Sequence, residues 1–327
     1  MPYKKIPVTV ISGFLGAGKT TLVNHLLEQS RGQNIGIVVN EYGEVGIDGQ
    51  LIVANEQALI EINNGCVCCT VRADLVVGVQ ELLQRHGHTL DRLIIETSGL
   101  ADPAPVLQTF LADPHLRAQV ALDSMVTVVD ARHLGTQLDN DIAREQVAFA
   151  DTLVLNKLDQ VDEDELASLK TLIHRINQTA VVLEAEYSQV QPEAVFDTHR
   201  FSLPTLLAIE PDLLDEDAHD HEHDSRIGSC SVVTPGALDP SRFTRWVNRL
   251  VQDQGTRLMR MKGVLNFAGE ARRFHFHSVH MLLESLPGKP WQAEEGRNNL
   301  FVFIGRDLDN AQLSDGLLAC LVQGSHP

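Results

Sequence analysis

The residues with the clearest chemistry stand near the start of the chain, in the run Gly13-Phe14-Leu15-Gly16-Ala17-Gly18-Lys19-Thr20. Every fixed position of the phosphate-loop pattern G-x-x-x-x-G-K-T is matched. The glycines allow backbone N–H groups to converge on phosphate oxygens, the lysine reaches the β- and γ-phosphates, and the threonine hydroxyl is a ligand for Mg²⁺. The run therefore predicts a nucleoside triphosphate site. Its expected binding residues are Gly13, Gly16, Ala17, Gly18, Lys19, Thr20 and Thr21.

A second motif, Asn156-Lys157-Leu158-Asp159, follows an apolar segment far downstream. The Asp159 carboxylate can accept hydrogen bonds from both N1–H and the exocyclic amino group of guanine. Adenine lacks that amino group, and a buried carboxylate without its partner is costly. Lys157 would lay its stem along the plane of the base. The motif thus favours GTP over ATP, with Asn156, Lys157 and Asp159 as the nucleotide contacts.

A third motif, Glu96-Thr97-Ser98-Gly99, ends another apolar segment. A carboxylate at the end of a strand can hold Mg²⁺, usually through water, and the Gly99 N–H can meet the γ-phosphate. The next residue is Leu100, where many regulatory GTPases place a glutamine that orients the attacking water. We therefore expect slow intrinsic hydrolysis to GDP and phosphate, and the sequence does not identify the catalytic residue.

Three of the five cysteines fall in the short run Cys66-Val67-Cys68-Cys69. Thiolates are soft ligands, and Cys66, Cys68 and Cys69 could take three corners of a zinc tetrahedron. Glu41, a histidine, water or a ligand from a partner would complete the site. Two other interpretations stay open, buried structural cysteines and redox chemistry between Cys66 and Cys69. The metal site is favoured because the run lies between two elements expected to respond to nucleotide.

Two groups of histidines allow a weaker inference. His219, His221 and His223 alternate with acidic residues and could collect divalent cations loosely, or they could simply belong to a solvated tether. His275, His277 and His280 fall near the end of a predicted strand, and two of them share a strand face. Half-buried histidines are more common than metal ligands in such positions, so the role of this second group stays open.

Apolar segments and amphipathic helical patterns alternate through the first part of the chain, which predicts an α/β fold with a mostly parallel, doubly wound sheet. From Glu210 to Asp224, eight of fifteen residues are acidic and no apolar periodicity remains, which predicts an exposed linker. Strand and helix patterns then return and predict a smaller C-terminal α+β domain. The expected boundaries are 1–205 for the P-loop domain, 206–228 for the linker and 229–327 for the C-terminal domain.

The composition excludes several classes of function. A net charge of −18 argues against nucleic acid or an anionic membrane surface as the main partner. No uninterrupted apolar segment approaches the roughly 18 residues that a membrane-spanning helix needs. The lysine-bearing N-terminus runs directly into the first predicted strand, and the cysteines do not resemble a secreted disulfide framework. Together these features predict a cytoplasmic protein.

The order of the motifs resembles that of the CobW-type metallochaperone GTPases. The resemblance is carried by GFLGAGKT, NEYGEVGID, GCVCC, ETSGLADP and NKLD, and in the C-terminal part by MKGVLNF, FHSVH and NLFVFIGRDLD. It implies GTP-dependent delivery of zinc, or sometimes cobalt, to client metalloenzymes. It also implies nucleotide contacts at 13–20, Glu96 and 156–159, and metal ligands at Glu41, Cys66, Cys68 and Cys69. The stretch 184–189 departs from the family's base-contacting loop.

The favoured hypothesis is therefore a GTP-hydrolysing metal carrier that uses GTP or GDP, Mg²⁺ and Zn²⁺ or Co²⁺. Its expected partners are a client metalloenzyme and divalent metal, and formation of a homo-oligomer is left open. Two alternatives remain: a regulatory GTPase switch whose cysteines are structural, and a metal buffer in which the histidine-rich tether stores ions. The number and affinity of bound ions would distinguish these readings.

Overall fold

The computed structural model describes residues 5–42, 59–64, 70–202, 227–255, 257–292 and 295–322. The chain forms two compact units, one around a seven-stranded sheet and one around a five-stranded sheet. Cys66, Cys68, Cys69, His219, His221 and His223 lie outside the described residues. Among the described residues, no helix is long and apolar enough to cross a lipid bilayer.

The sheet of the first unit is parallel throughout, in the order β3-β2-β4-β1-β5-β6-β7. This confirms the predicted parallel sheet. Central strands such as β1 and β4 are buried along nearly their whole length, because both faces of a parallel sheet are covered by helices. The strands are β1 (Ile6–Ser12), β2 (Ile35–Tyr42), β3 (Leu59–Asn64), β4 (Arg92–Thr97), β5 (Val120–Asp130), β6 (Thr152–Asn156) and β7 (Val181–Glu184).

The helices of this region are α1 (Lys19–Gln29), α2 (Thr70–His86), α3 (Ala104–Ala112), α4 (Pro114–Gln119), α5 (Leu134–Gln137), α6 (Asp141–Phe149) and α7 (Glu163–Ile176). The acidic residues Asp162 and Glu165, three positions apart, predict a capping box at the start of α7. The box is present: Asp162 Oδ1 accepts from Glu165 N at 2.8 Å, and Asp162 N donates to Glu165 Oε2 at 3.1 Å. No prediction covered α4, α5 and α6, which span six, four and nine residues and therefore complete few helical turns.

The described part of the second unit has an antiparallel sheet in the order β11-β10-β9-β12-β8, together with two helices. This agrees with the predicted C-terminal α+β domain. The strands are β8 (Ile227–Pro235), β9 (Leu258–Leu265), β10 (Arg272–Val279), β11 (Leu282–Pro290) and β12 (Asn298–Arg306), and the helices are α8 (Pro240–Gln254) and α9 (Asn310–Leu318). β8 begins two residues before the predicted boundary at residue 229, and the domain limits stay a prediction.

Aromatic packing holds α8 against this sheet. The Phe243 ring meets the rings of Phe267, Phe276 and Phe301 edge to face, with centroids 5.4, 5.5 and 5.9 Å apart. Sequence patterns did not predict β11, whose segment contains two prolines and a glycine. β11 lies at the edge of the sheet, where proline is tolerated because one side of the strand needs no ladder hydrogen bonds.

Candidate nucleotide-binding site

The loop between β1 and α1 has the backbone that a phosphate cradle requires. Gly13, Gly16 and Gly18 have φ values of +142°, +72° and +112°, in the region that side chains disfavour. A Cβ atom on Gly13 would also lie 2.2 Å from the carbonyl oxygen of Val128. Backbone conformation therefore favours glycine at all three positions, and the close approach of β5 also requires it at Gly13, independently of any ligand.

Asn156 connects three segments of the chain at this loop. Its Nδ2 donates to Ala17 O and to Ser188 Oγ, both at 2.9 Å, and its Oδ1 accepts from Ser188 N at 2.8 Å. Ser188 Oγ in turn donates to Gly18 O at 3.0 Å. A Cβ on Gly18 would lie 2.6 Å from Asn156 Nδ2 and 2.7 Å from Ser188 Oγ. Asn156 thus fixes the phosphate loop relative to the segment after β7.

The first residues of α1 meet the end of β4. Thr20 Oγ1 donates to Glu96 Oε1 at 2.8 Å, and Glu96 is almost completely buried. The Lys19 side chain is also mostly buried, with Nζ 3.3 Å from Phe14 O, while Thr21 is exposed on the next position of the helix. A hydroxyl and a carboxylate in contact are the hard oxygen donors that Mg²⁺ prefers, so Thr20 and Glu96 fit that ion.

The turn after β4 packs directly on the phosphate loop. A Cβ on Gly99 would lie 2.7 Å from Leu15 Cδ2 and 2.9 Å from Leu15 N, so only glycine allows this approach. Gln146 Nε2 donates to the carbonyl oxygens of Gly99 and Ala101, each at 3.2 Å, and the residue is buried. This glutamine therefore braces the turn, and Leu100 remains half exposed at its surface.

The expected base-recognition motif follows β6. Lys157 has a left-handed backbone with φ +66°, and Asp159 is exposed on a short 3₁₀ turn at 158–160. Lys157 Nζ donates to Asp130 Oδ2 at 2.7 Å, so its ammonium is already partnered by the last residue of β5. The lysine stem is thus held beside the position where the motif would receive a base.

Asp130 is the centre of a small polar cluster. Its Oδ2 also contacts His133 Nδ1 at 3.0 Å, and its Oδ1 accepts from Arg132 N at 3.1 Å. Burial alone would raise the pKa of Asp130, but hydrogen bonds and positive charge from Lys157 and His133 hold that pKa below its ordinary value. A carboxylate that stays ionised in this position keeps Lys157 oriented.

Two of these residues, Ser188 and Asp130, were missed by sequence reasoning. Ser188 lies in the stretch 184–189, which departs from the resembled family's pattern, so no motif pointed to it. Asp130 is the last residue of β5 and belongs to no motif, and only the β5–β6 register of the folded sheet pairs it with Asn156.

The expected metal ligands are only partly described. The backbone of Glu41 lies near the end of β2, paired with Asn63 of β3, whereas its side chain is outside the description. The three-cysteine run occupies the interval between β3, which ends at Asn64, and α2, which begins at Thr70. The described residues contain no group of three histidine, cysteine or acidic side chains that could hold a metal.

His275 and His277 share one face of β10, as predicted, and His280 follows the strand with φ +49°. His277 Nε2 lies 3.0 Å from Glu284 Oε2 of β11. Burial, together with the charges of Arg273 and His277, lowers the pKa of His275. Of the open alternatives, these contacts favour buried polar histidines over metal ligands.

Comparison with known proteins gives matches to both units. The family described as the CobW/HypB/UreG nucleotide-binding domain matches residues 7–184, and the cobalamin synthesis protein cobW C-terminal domain matches residues 227–321. The zinc chaperone YjiA of Escherichia coli strain K12 is 34% identical over 313 residues, covering 94% of this chain and 96% of that protein. A zinc-regulated GTPase metalloprotein activator 1 from Schizosaccharomyces pombe is 33% identical over 342 residues, covering 93% and 83%.

Among solved structures, the Zn(II)-bound YjiA GTPase from E. coli superposes with a TM-score of 0.76 at 28% identity. The match covers 98% of this chain and 100% of that one.

Proposed function

The chain belongs to the CobW/HypB/UreG family of nucleotide-binding proteins, and we propose that it is a GTP-hydrolysing metallochaperone that carries zinc to client metalloproteins. It is a GTPase that uses GTP, GDP, Mg²⁺ and Zn²⁺, with cobalt as a second candidate cargo. The single observation that carries the proposal is the convergence of the phosphate loop, Glu96 and Asn156 at the carboxyl edge of one parallel sheet. That edge is where open α/β sheets bind their ligands.

Nucleotide recognition is divided between the two ends of this edge. Lys19 and the backbone N–H groups of 13–20 hold the phosphates, at the positive end of α1. Asp159 accepts from guanine while Asp130 keeps the Lys157 stem in position. Thr20 and Glu96 hold Mg²⁺, which when bound neutralises charge on the β- and γ-phosphate oxygens.

The proposed cargo site follows from chain order along the same edge. The carboxyl ends of parallel strands meet at one edge, and β3 is two strands from β4 in the sheet. At about 4.8 Å between neighbouring strands, the end of β3 is roughly 10 Å from the end of β4. The run Cys66, Cys68 and Cys69 follows β3 in the chain, and we assign it, with Glu41 at the end of β2, to zinc.

A coupling between nucleotide and cargo follows from these positions. The Glu96-to-Gly99 turn contacts Leu15 of the phosphate loop so closely that a change at the γ-phosphate is expected to move it. A metal held beside the turn then binds differently in the GTP and GDP states, and linkage makes the effect reciprocal. GTP loads the carrier, and hydrolysis relaxes the site and releases zinc to the client.

The test is a zinc titration in GDP and in a non-hydrolysable GTP analogue. We expect the analogue to strengthen zinc binding by about 5- to 150-fold, the usual range of allosteric coupling, and zinc to tighten the analogue by the same factor. Zinc binding should also release protons, because thiols must ionise to become ligands. Cys68→Ala or Cys69→Ala should remove both the tight zinc site and the coupling while sparing GTP affinity.

The matched control is Cys230→Ala, which removes a thiol from the core of the second unit. Burial raises the pKa of Cys230 to about 12, so this thiol is not available as a thiolate ligand. Equal zinc affinities in the two nucleotide states would overturn the carrier proposal. Several weak ions without a tight one would indicate a buffer, and no bound zinc would indicate a regulatory switch.

A further inference from the structure

The second unit contains a cavity of about 280 Å³ at the β10–β11 edge of its sheet. We call it the β10–β11 pocket, and its lining residues are Arg273, His275, Lys289, Pro290, Gln292 and Glu295. Arg273 and His275 are two positions apart on β10, so their side chains leave the same face of the strand. Small-molecule pockets usually span about 300–1,000 Å³, so this cavity lies at the lower limit of that range.

Buried nitrogen atoms around the pocket have no partner among the described residues. Arg273 Nε and His275 Nδ1 are two such atoms, and the His275 residue is only 8% exposed. Trp291 does not line the pocket, but its ring lies under the Arg273 guanidinium at 4.7 Å, and its buried Nε1 also has no partner among the described residues. Buried polar groups are nearly always hydrogen-bonded, so this concentration of exceptions indicates a missing acceptor.

The charges of the lining residues indicate the charge that a ligand of the pocket should carry. Arg273 and Lys289 are cationic and Glu295 is anionic, which leaves one positive charge in excess. Glu295 Oε2 already pairs with Arg273 Nη2 at 2.5 Å and accepts from Gln292 N at 3.2 Å. A cation would be repelled by the excess positive charge, a monoanion would neutralise it, and a dianion would leave a net negative charge in the pocket.

The wider charge distribution agrees with this choice. Residues 227–322 hold eleven Lys and Arg against nine Asp and Glu, while the rest of the chain holds 15 against 35. Residues 227–322 are therefore slightly basic within a strongly acidic protein, so this stretch repels an acidic ligand less than the rest of the chain does.

We propose that the β10–β11 pocket binds a single carboxylate group. A carboxylate accepts hydrogen bonds without donating any, which matches Arg273 Nε, because a guanidinium nitrogen can only donate. The Trp291 ring, stacked on the same guanidinium, lies close enough to report on binding. The carboxylate belongs either to a small organic acid or to an acidic side chain of a protein partner. This binding does not depend on the nucleotide site.

The test uses the two tryptophans of the chain as reporters. The full-length protein, labelled with ¹⁵N-tryptophan, should give one indole N–H signal for Trp291 and one for Trp246, and Trp246→Phe assigns them. Propionate, and a blocked peptide with one glutamate, should each shift the Trp291 signal saturably at constant chloride. The Trp246 signal should stay in place, and the peptide with glutamine in place of glutamate should have no effect.

The two probes distinguish the sources of the carboxylate. Tighter binding of the peptide by tenfold or more would assign the pocket to a protein partner, and equal affinities would assign it to a small acid. Lys289→Gln should weaken binding by about two- to fivefold, as expected for an exposed charge pair, and Lys289→Glu should weaken it further. The control Arg249→Gln removes the same charge from an exposed position of α8 and should change nothing.

Four results would overturn the proposal. These are the absence of a saturable Trp291 shift, an equal shift at Trp246, the same affinity in Lys289→Gln and Arg249→Gln, or phosphate binding tenfold tighter than propionate. Because both lysine variants change an exposed residue, they are expected to fold like the unmodified protein.

Discussion

Lys157 Nζ lies 2.7 Å from Asp130 Oδ2, so a lysine in the base-recognition motif is held by the residue that ends the neighbouring strand. The carboxylate is 4% exposed and the lysine 30% exposed. The Asp130 carboxylate is therefore buried at the carboxyl edge of the sheet, while the partly exposed Lys157 stem stays within reach of a bound base. Its strength depends on Asp130 remaining ionised.

The first prediction concerns pH. The pKa of Asp130 is lower in the folded chain than the ordinary 3.8, so its contribution to stability is present above that value and is lost as the pH falls through the folded pKa. The free energy of unfolding should fall with decreasing pH below about 4, and less steeply in Asp130→Asn. Urea denaturation from pH 7 to pH 3 measures both slopes. Identical slopes in the unmodified chain and in Asp130→Asn would show that this ion pair does not contribute to stability.

The second prediction concerns the packing of the phosphate loop. Gly18→Ala places a Cβ within 2.6 Å of Asn156 Nδ2 and 2.7 Å of Ser188 Oγ, at a residue with φ +112°. We expect GTP affinity to fall by at least about tenfold, or 1.4 kcal/mol, because the hydrogen bonds between Asn156 and Ser188 must break to make room for the Cβ. Gly135→Ala is the control, because a Cβ there meets no atom within 4 Å. Equal GTP affinity in the two variants would show that GTP binding does not need the Asn156–Ser188 hydrogen bonds.

The third prediction concerns the choice of base. GTP should bind at least about tenfold tighter than ATP, a difference of roughly 1.4 kcal/mol, because Asp159 matches two guanine donors. Asp159→Asn should reduce that preference, since an amide oxygen cannot take both hydrogen bonds without a clash from its amino group. Asp164→Asn, at an exposed position of α7, should leave the ratio unchanged. Competition binding with both nucleotides gives the ratio, and equal affinities in the unmodified chain would contradict the guanine assignment.

The fourth prediction concerns the histidine-rich segment. Deleting residues 219–223 removes His219, His221 and His223 and should lower the number of weakly bound divalent ions. GTP turnover should stay close to that of the full chain, because no nucleotide contact is assigned to this segment. Equilibrium dialysis counts the ions, and a phosphate-release assay follows turnover. Loss of turnover or of folding would show that the segment is more than a tether.

The sequence alone was sufficient for the parallel sheet and for the nucleotide motifs. Central parallel strands are buried on both faces and appear as continuous apolar runs, and the phosphate loop needs glycine at exact positions for backbone reasons. Gly13 and Gly18 meet that requirement locally, before any distant residue is considered. The capping box of Asp162 and Glu165 is likewise a relation within one turn of helix.

Only the tertiary structure decided which distant side chains support those motifs. Ser188 and Asp130 are ordinary residues in sequence, and their contacts with Asn156 and Lys157 arise because β6 lies between β5 and β7 in the sheet. Strand β11 was not predicted for a related reason. Its prolines have poor strand propensity, and only the pairing with β10 at the sheet edge holds the segment as a strand. The buried nitrogen atoms of the β10–β11 pocket were likewise identified only from the tertiary structure. Whether such an atom is buried and hydrogen-bonded depends on its neighbours in space, which the order of residues along the chain does not specify.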